Sequence, residues 1–331
     1  MIKIMKRNIE HIVSEKLNSK IIDLRRIETG LFNDTYFVKA NKVVSELKSK
    51  PVNTNEFIIR IAPKDDSGFL FYEVNMMDQE PNIHEIVSQK TSIPIPQIYE
   101  FDNSRKIIER NYLIMEKMEG IALSQAYFLT QIQRKNIFHQ IGQYLQELHN
   151  IHASEYGYLG EHRPMEPQKT WWEAFTIMWS KLIDDVFNCG VYSESEAQKY
   201  KDLLLSHREY FVARNSVPSS LLHMDIWAQN IMVNEGGMIT AIVDWDRALW
   251  GDPEIEFTVL DYCGISTPSF WEGYEGQQAD NKSSKVRDLY YLLYEHQKYI
   301  PINIWRRKNK IKAQSYKRDC VRLFKKLEKI G

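Results

Sequence analysis

LLHMDIWAQNIMV, residues 221–233, followed by AIVDWD at 241–246, is the stretch on which the reading of this 331-residue chain turns. It sets a carboxylate, Asp225, five residues before an amide, Asn230, and ends the next apolar run on a second carboxylate, Asp244. The intervening NEGG (234–237) supplies turn glycines, so IMV and MITAIV read as two strands of a hairpin. A hairpin brings its open ends together, which places Asn230 and Asp244 side by side. These two offer hard oxygen ligands for Mg²⁺, and Asp225 can take the proton of an attacking hydroxyl, the combination that phosphoryl transfer requires. Asp and Asn also favour ordinary turns, so any one of them alone would carry little. The weight lies in the three at this spacing, with Gly251-Asp252-Pro253 just downstream. His223 is expected to hold the loop through backbone hydrogen bonds rather than to move protons.

HMDIWAQN (223–230) resembles the catalytic loop of the aminoglycoside phosphotransferase and choline kinase group, and IVDWDRALWGDPEIEF (242–257) resembles its metal-binding segment. That group shares a two-lobed fold with protein kinases. The resemblance implies an α+β chain with a small antiparallel-sheet N-lobe over residues 1–119 and a larger, mainly helical C-lobe over 120–331, and it thins after about Tyr274. Met224 departs from the pattern, which has glycine there, so a more crowded loop is expected. No Asp-Phe-Gly followed by Ala-Pro-Glu is present, which argues against a protein kinase.

In the first half, residues 24–39 read as strand, polar turn with Gly30, and strand, a hairpin able to present backbone N–H groups to phosphates. A third strand follows at 57–61, then a helical stretch at 79–90. On the resemblance, Arg60 replaces the strand lysine that neutralises nucleotide phosphates and Glu80 is the helix carboxylate that pairs with it, Glu85 being the competitor. Arginine keeps the charge but presents a planar fork instead of a compact ammonium. NYLIMEKMEG (111–120) resembles the hinge between lobes, where the Glu116 carbonyl and the Met118 N–H would bind the base of ATP or GTP.

Helices are expected at 129–151, 171–186 and 193–212, with Pro218 stopping the chain before the active-site strand. No run approaches the roughly 20 apolar residues of a membrane span, and the N-terminus lacks the apolar core of a secretory signal, so a cytoplasmic protein is expected. Cys189, Cys263 and Cys320 are widely spaced and show no metal-ligand pattern. Residues 305–331 hold 11 of the 43 basic side chains and 2 of the 44 acidic ones, which leaves an acidic body. Val321, Phe324, Leu327 and Ile330, with Ile311 upstream, recur near helical spacing, so this tail reads as an amphipathic helix on that body and not as a nucleic-acid reader.

The acceptor is expected to be a small molecule, with a cationic aminoglycoside-type antibiotic as the leading reading, and the protein a monomer or homodimer. Ammonium groups would be met by carboxylates after the metal segment, with Glu254, Glu272 and Glu275 as first choices beside Glu256 and Asp261, and Trp271 as an aromatic wall. Choline, a fructosamine or another small alcohol is the alternative, Trp227 resembling a tryptophan of the fructosamine branch. A nucleotide-binding protein without turnover is a third reading.

Overall fold

A computed structural model describes residues 2–28, 32–48, 50–160 and 162–330. The N-lobe is a five-stranded antiparallel sheet in the order β1-β2-β3-β5-β4: β1 Ile21–Ile27, β2 Asp34–Leu47, β3 Lys50–Ile61, β4 Ile98–Asp102 and β5 Tyr112–Glu116. Helix α1, Ile2–Leu17, precedes it and packs Met5, Ile9, Ile12, Val13 and Leu17 against Tyr36, Val38, Phe57 and Ile59 of the sheet. Its three- and four-residue spacing matches one helix face, a signal passed over in the sequence reading. Helix α2, Glu80–Lys90, carries proline at its start and turns Ile83 and Val87 toward the other lobe.

The chain crosses to the C-lobe at residues 117–120, and short β6, Ile121–Ala122, pairs there with Val233 and Met232. Helix α3, Gln131–His149, opens on a capping box in which Thr130 and Gln133 satisfy each other's backbone donors. After β7, His152–Ala153, come α4 Trp171–Asn188, α5 Glu194–Ser206 and α6 Glu209–Val212. The single helix expected over 193–212 is therefore broken. His207, buried and bonded to the Tyr290 hydroxyl at 2.6 Å, caps α5, and Tyr210 and Phe211 of α6 turn into the core.

Strands β8 Ser219–Leu222, β9 Ile231–Val233, β10 Ile239–Ile242 and β11 Leu249–Gly251 form the floor beneath the cleft, with β10-β9-β6 in one sheet and β11-β8-β7 in another. Then follow α7 Pro253–Tyr262, α8 Pro268–Tyr274, α9 Lys282–Pro301 and α10 Lys310–Leu327. Helix α8 lies so tightly on α3 that a Cβ on Gly142 would overlap the Phe270 carbonyl oxygen, and one on Gly273 that of His139. The basic tail is α10, with Ala313, Cys320, Leu323 and Leu327 in the core and Lys317 paired to Glu196 at 2.8 Å. Ile311 is exposed and does not join the buried stripe. None of the described helices is long and apolar enough to cross a membrane.

Residues 62–79, between β3 and α2, descend from the N-lobe into the C-lobe. Leu70, Tyr72 and Met76 enter its core, the Phe71 N–H donates to Asp185 at 2.9 Å, and Glu73 pairs with Arg306 at 2.9 Å. Nothing in the sequence reading anticipated this strap.

Candidate active site

The loop 223–230 runs from β8 to β9, and its geometry is set from behind. The His223 ring is fully buried, lies 4.3 Å from Trp245, accepts the Asp225 N–H at 3.2 Å and meets the Val243 carbonyl at 3.1 Å. That pairing suits a neutral ring with its proton on Nε2, and burial lowers its proton affinity, opposed by the nearby carboxylates. These are the backbone contacts expected of it. Met224 adopts φ +65°, the region glycine prefers, and its N–H donates to Glu256 at 2.6 Å. Glu256 also meets His149 at 2.8 Å, and His149 bonds the Tyr274 hydroxyl at 2.9 Å, which ties α3 and α8 to the loop.

Asp225 thus projects forward. Its Oδ2 accepts the Asn230 Nδ2 at 2.9 Å, and its Oδ1 pairs with Arg247 Nη1 at 2.6 Å. Burial alone would raise its pKa, but Arg247, Lys298 and the Asn230 donor prevail and hold it below the usual carboxylate value. These partners favour the ionised carboxylate at Asp225. Asn230 spends its amide N–H groups on Asp225, so its carbonyl oxygen is the atom left for a ligand.

The hairpin forms as expected, with Ala241 opposite Met232 and Ile242 opposite Ile231. The Val243 N–H donates to the Asn230 carbonyl at 3.0 Å, so Asp244 stands one residue beyond the point where the two chains meet. It takes φ +70°, and its carboxylate is 38 % exposed. One carboxylate and one amide oxygen at neighbouring strand ends are a donor set that fits Mg²⁺, which completes its shell with phosphate oxygens and water.

Arg60 on β3 closes the cleft from above. Its guanidinium donates to Glu80 at 2.5 Å, to Asp244 at 2.8 Å and to Asp246 at 3.1 Å. The pairing with Glu80 is the one expected, whereas Glu85 is exposed and bonds Gln89. Burial pushes the Glu80 carboxyl up despite the pull of Arg60. Sequence reasoning missed Asp246 and Arg247, although both stand inside the quoted VDWDRALW. Asp246 is 3 % exposed, also receives Asn33 from the N-lobe at 3.2 Å, and its backbone carbonyl accepts from Gln79. The available signal was two charged residues inside a run otherwise fit for burial.

At the hinge, the Glu116 N–H is taken by Gln97 at 2.8 Å, while the Met118 N–H makes no hydrogen bond among the described residues. Gly30 lies outside the described residues.

Glu254, Trp271, Glu272 and Glu275, expected at the acceptor, make no hydrogen bond to Asp225 among the described residues. Glu254 is held by Arg287 at 2.6 and 3.0 Å and lies 3.7 Å from Arg214. The Trp271 ring packs on Phe257 and Phe270 and donates to Ser266, and Glu275 faces Gln146 on α3. Glu272 is exposed on the same short helix α8. Trp171 and Trp179 are fully buried, whereas Trp227 on the catalytic loop is 42 % exposed.

A sequence model described as "Phosphotransferase enzyme family" matches residues 23–308. The chain belongs to that family. The match runs well past Tyr274, so the family pattern reaches through α9. Hygromycin-B 4-O-kinase of Escherichia coli is 22% identical over 174 residues, covering 50% of this chain and 46% of that protein, so the match spans about half the length of that curated relative. A candidate fructosamine-3-kinase of Haemophilus somnus 129PT superposes with a TM-score of 0.66 at 16% identity, covering 97% of each chain. APH(4)-Ia in ternary complex with AMP-PNP and hygromycin B gives 0.60 at 15%, covering 96% of this chain and 98% of that one. The gentamicin complex of APH(2")-IIa gives 0.60 at 15%, covering 96% and 95%. At these identities the superpositions establish the kinase-like two-lobed fold.

Proposed function

We propose that this phosphotransferase-family protein moves the γ-phosphoryl group of ATP, or GTP, to a hydroxyl of a small molecule. The observation that carries the reading is the Asp225–Asn230 hydrogen bond at 2.9 Å beside an Asp244 reached by Arg60 of the opposite lobe. Asp225 takes the proton as the acceptor O–H bond breaks. The acceptor oxygen bonds to the γ-phosphorus, and the bond from phosphorus to the leaving ADP oxygen breaks. Asn230 and Asp244 would hold Mg²⁺, which when bound neutralises charge on the phosphates. Arg60, oriented by Glu80, adds a fixed cation at the phosphates, and the Glu116 carbonyl and Met118 N–H read the base. Proximity and preorganised charge supply most of the acceleration.

An aminoglycoside acceptor draws support from the hygromycin kinase relationship and from the gentamicin and hygromycin complexes of structural neighbours. A fructosamine-type acceptor draws support from the Haemophilus neighbour and the exposed Trp227.

The test is ATP consumption by the parent and by Asp225→Ala against aminoglycosides, choline, fructosamines and hydroxy acids. Turnover should fall by about 10²–10⁴ in the variant, as for loss of a general base, with ATP affinity nearly unchanged. Near-parental turnover removes Asp225 from the chemistry.

A further inference from the structure

Arg247 follows the metal-binding segment, places Nη1 2.6 Å from Asp225 and retains 15 % of its side chain exposed. Behind it α9 brings Lys298, 2 % exposed and held by Glu295 at 2.5 Å, close enough for its charge to act on both Asp225 and Arg247. Asp225 therefore stands beside two cations, with Glu295 behind Lys298 and Asp246 also within electrostatic reach. When an acceptor hydroxyl engages Asp225 it competes with Arg247 for the same oxygens, and a half-buried guanidinium that loses its partner is left uncompensated.

Most carboxylates around Asp225 are already paired, although Asp244, assigned to Mg²⁺, is 38 % exposed, whereas Arg247 keeps part of its fork open. Glu254 is bound by Arg287, Glu256 by His149 and the Met224 N–H, Glu73 by Arg306, and Glu295 by Lys298. An ammonium group drawn to any of these four carboxylates would have to displace its partner. An oxyanion would find the Arg247 fork, which matches carboxylate and phosphate geometry. Tyr72 lies 5.6 Å beneath that guanidinium. The Tyr294 hydroxyl is buried without a hydrogen-bond partner and lies within electrostatic reach of Arg247, Tyr72 and Tyr158, so the same cluster contains an unused donor.

We propose that the acceptor carries an oxyanionic group, a carboxylate or a phosphate monoester, which Arg247 receives while the hydroxyl meets Asp225. The proposal rests on the phosphotransferase reading above and narrows its acceptor. It also disfavours the polycationic acceptor first expected from the sequence.

A cell metabolite extract, split by anion exchange into retained and unretained pools, tests it. Each pool is incubated with the full-length protein, Mg²⁺ and ATP labelled at the γ-phosphate, and the Asp225→Ala background is subtracted. Label should appear in acceptors of the retained pool. Label confined to the unretained pool, or preferential labelling of added hygromycin B or gentamicin, overturns the proposal. Absence of label in both pools overturns it too. Calorimetry then separates the two readings: intact Mg-ATP binding leaves the nucleotide assignment standing, and lost binding sinks both. With the labelled acceptor in hand, Arg247→Gln should raise its KM tenfold or more with the KM for ATP unchanged, and Arg247→Lys should recover part of the loss. A fall in kcat alone in Arg247→Gln, with acceptor KM preserved, would make Arg247 a positioning residue for Asp225 and overturn the proposal.

Discussion

Met224 sets two opposed costs against each other at one residue. Its φ of +65° costs a side-chain-bearing residue about 1–2 kcal/mol that glycine would avoid. Its side chain is 3 % exposed in the C-lobe core, and truncating such a group typically costs about 2–5 kcal/mol. Burial outweighs strain, so Met224→Gly should lower the melting temperature even though it restores the residue usual at this place; a rise would show that strain dominates. Arg60 is likewise decided by geometry. Its fork reaches Glu80, Asp244 and Asp246 together, which a lysine ammonium on the same strand would do poorly. Losing one charge-assisted bond of about 1.5–3 kcal/mol, Arg60→Lys should raise the KM for ATP by about tenfold or more, measured by steady-state kinetics with acceptor saturating. An unchanged KM would mean that the fork serves only the protein.

At the scale of an element, the strap of residues 62–79 joins the lobes through Asp185 on α4, which accepts the Phe71 N–H. Burial pushes the Asp185 carboxyl up to about 7, and the Phe71 donor only partly offsets this. Below the unfolded value near 3.8 both states hold the proton and stability is unaffected. As pH rises toward 7 the unfolded chain ionises first, so stability falls, and above that range the loss stays constant. Asp185→Asn keeps an oxygen for Phe71 and removes the ionisation. It should therefore stabilise the protein at pH 8, by on the order of 2 kcal/mol, and little at pH 4. Thermal melts at both pH values check this, and equal effects at the two would refute it. The strap has no motif because its anchors, Leu70, Tyr72 and Met76, acquire meaning only against helices more than a hundred residues away. The break between α5 and α6 was hidden for the same reason, since Tyr290 on α9 fixes His207.

Across the whole molecule, the Arg60–Asp244 pair links the two lobes at the place assigned to nucleotide phosphates and Mg²⁺. Ligand bound there stabilises the folded state by mass action, about 2.7 kcal/mol at a hundredfold excess over Kd. Mg-ATP should raise the melting temperature of the parent more than ATP with chelator does. In Asp244→Ala the two shifts should coincide, and a persistent magnesium-dependent difference would make Asp244 structural. The charge asymmetry is resolved at this scale as well. On helix α10 Lys317 pairs with Glu196 while Lys310, Lys312, Lys325 and Lys326 stay exposed, and the apolar face completes the C-lobe core.

By itself the sequence determined the loop with Asp225 and Asn230, the hairpin that carries the chain to Asp244, and the pairing of Arg60 with Glu80 once the kinase-like order of elements was recognised. Those readings rest on spacing, turn chemistry and periodicity, which act over a few residues and survive in a linear string. Tertiary structure alone decided which charge meets which. Arg247 reaches Asp225 across 22 positions, Arg60 reaches Asp244 across 184, and Arg287 reaches Glu254 across 33. It also seated α8 on α3, where glycines let the two backbones approach closely. A side chain's type is local, whereas the partner that neutralises it is chosen by the packing of distant elements.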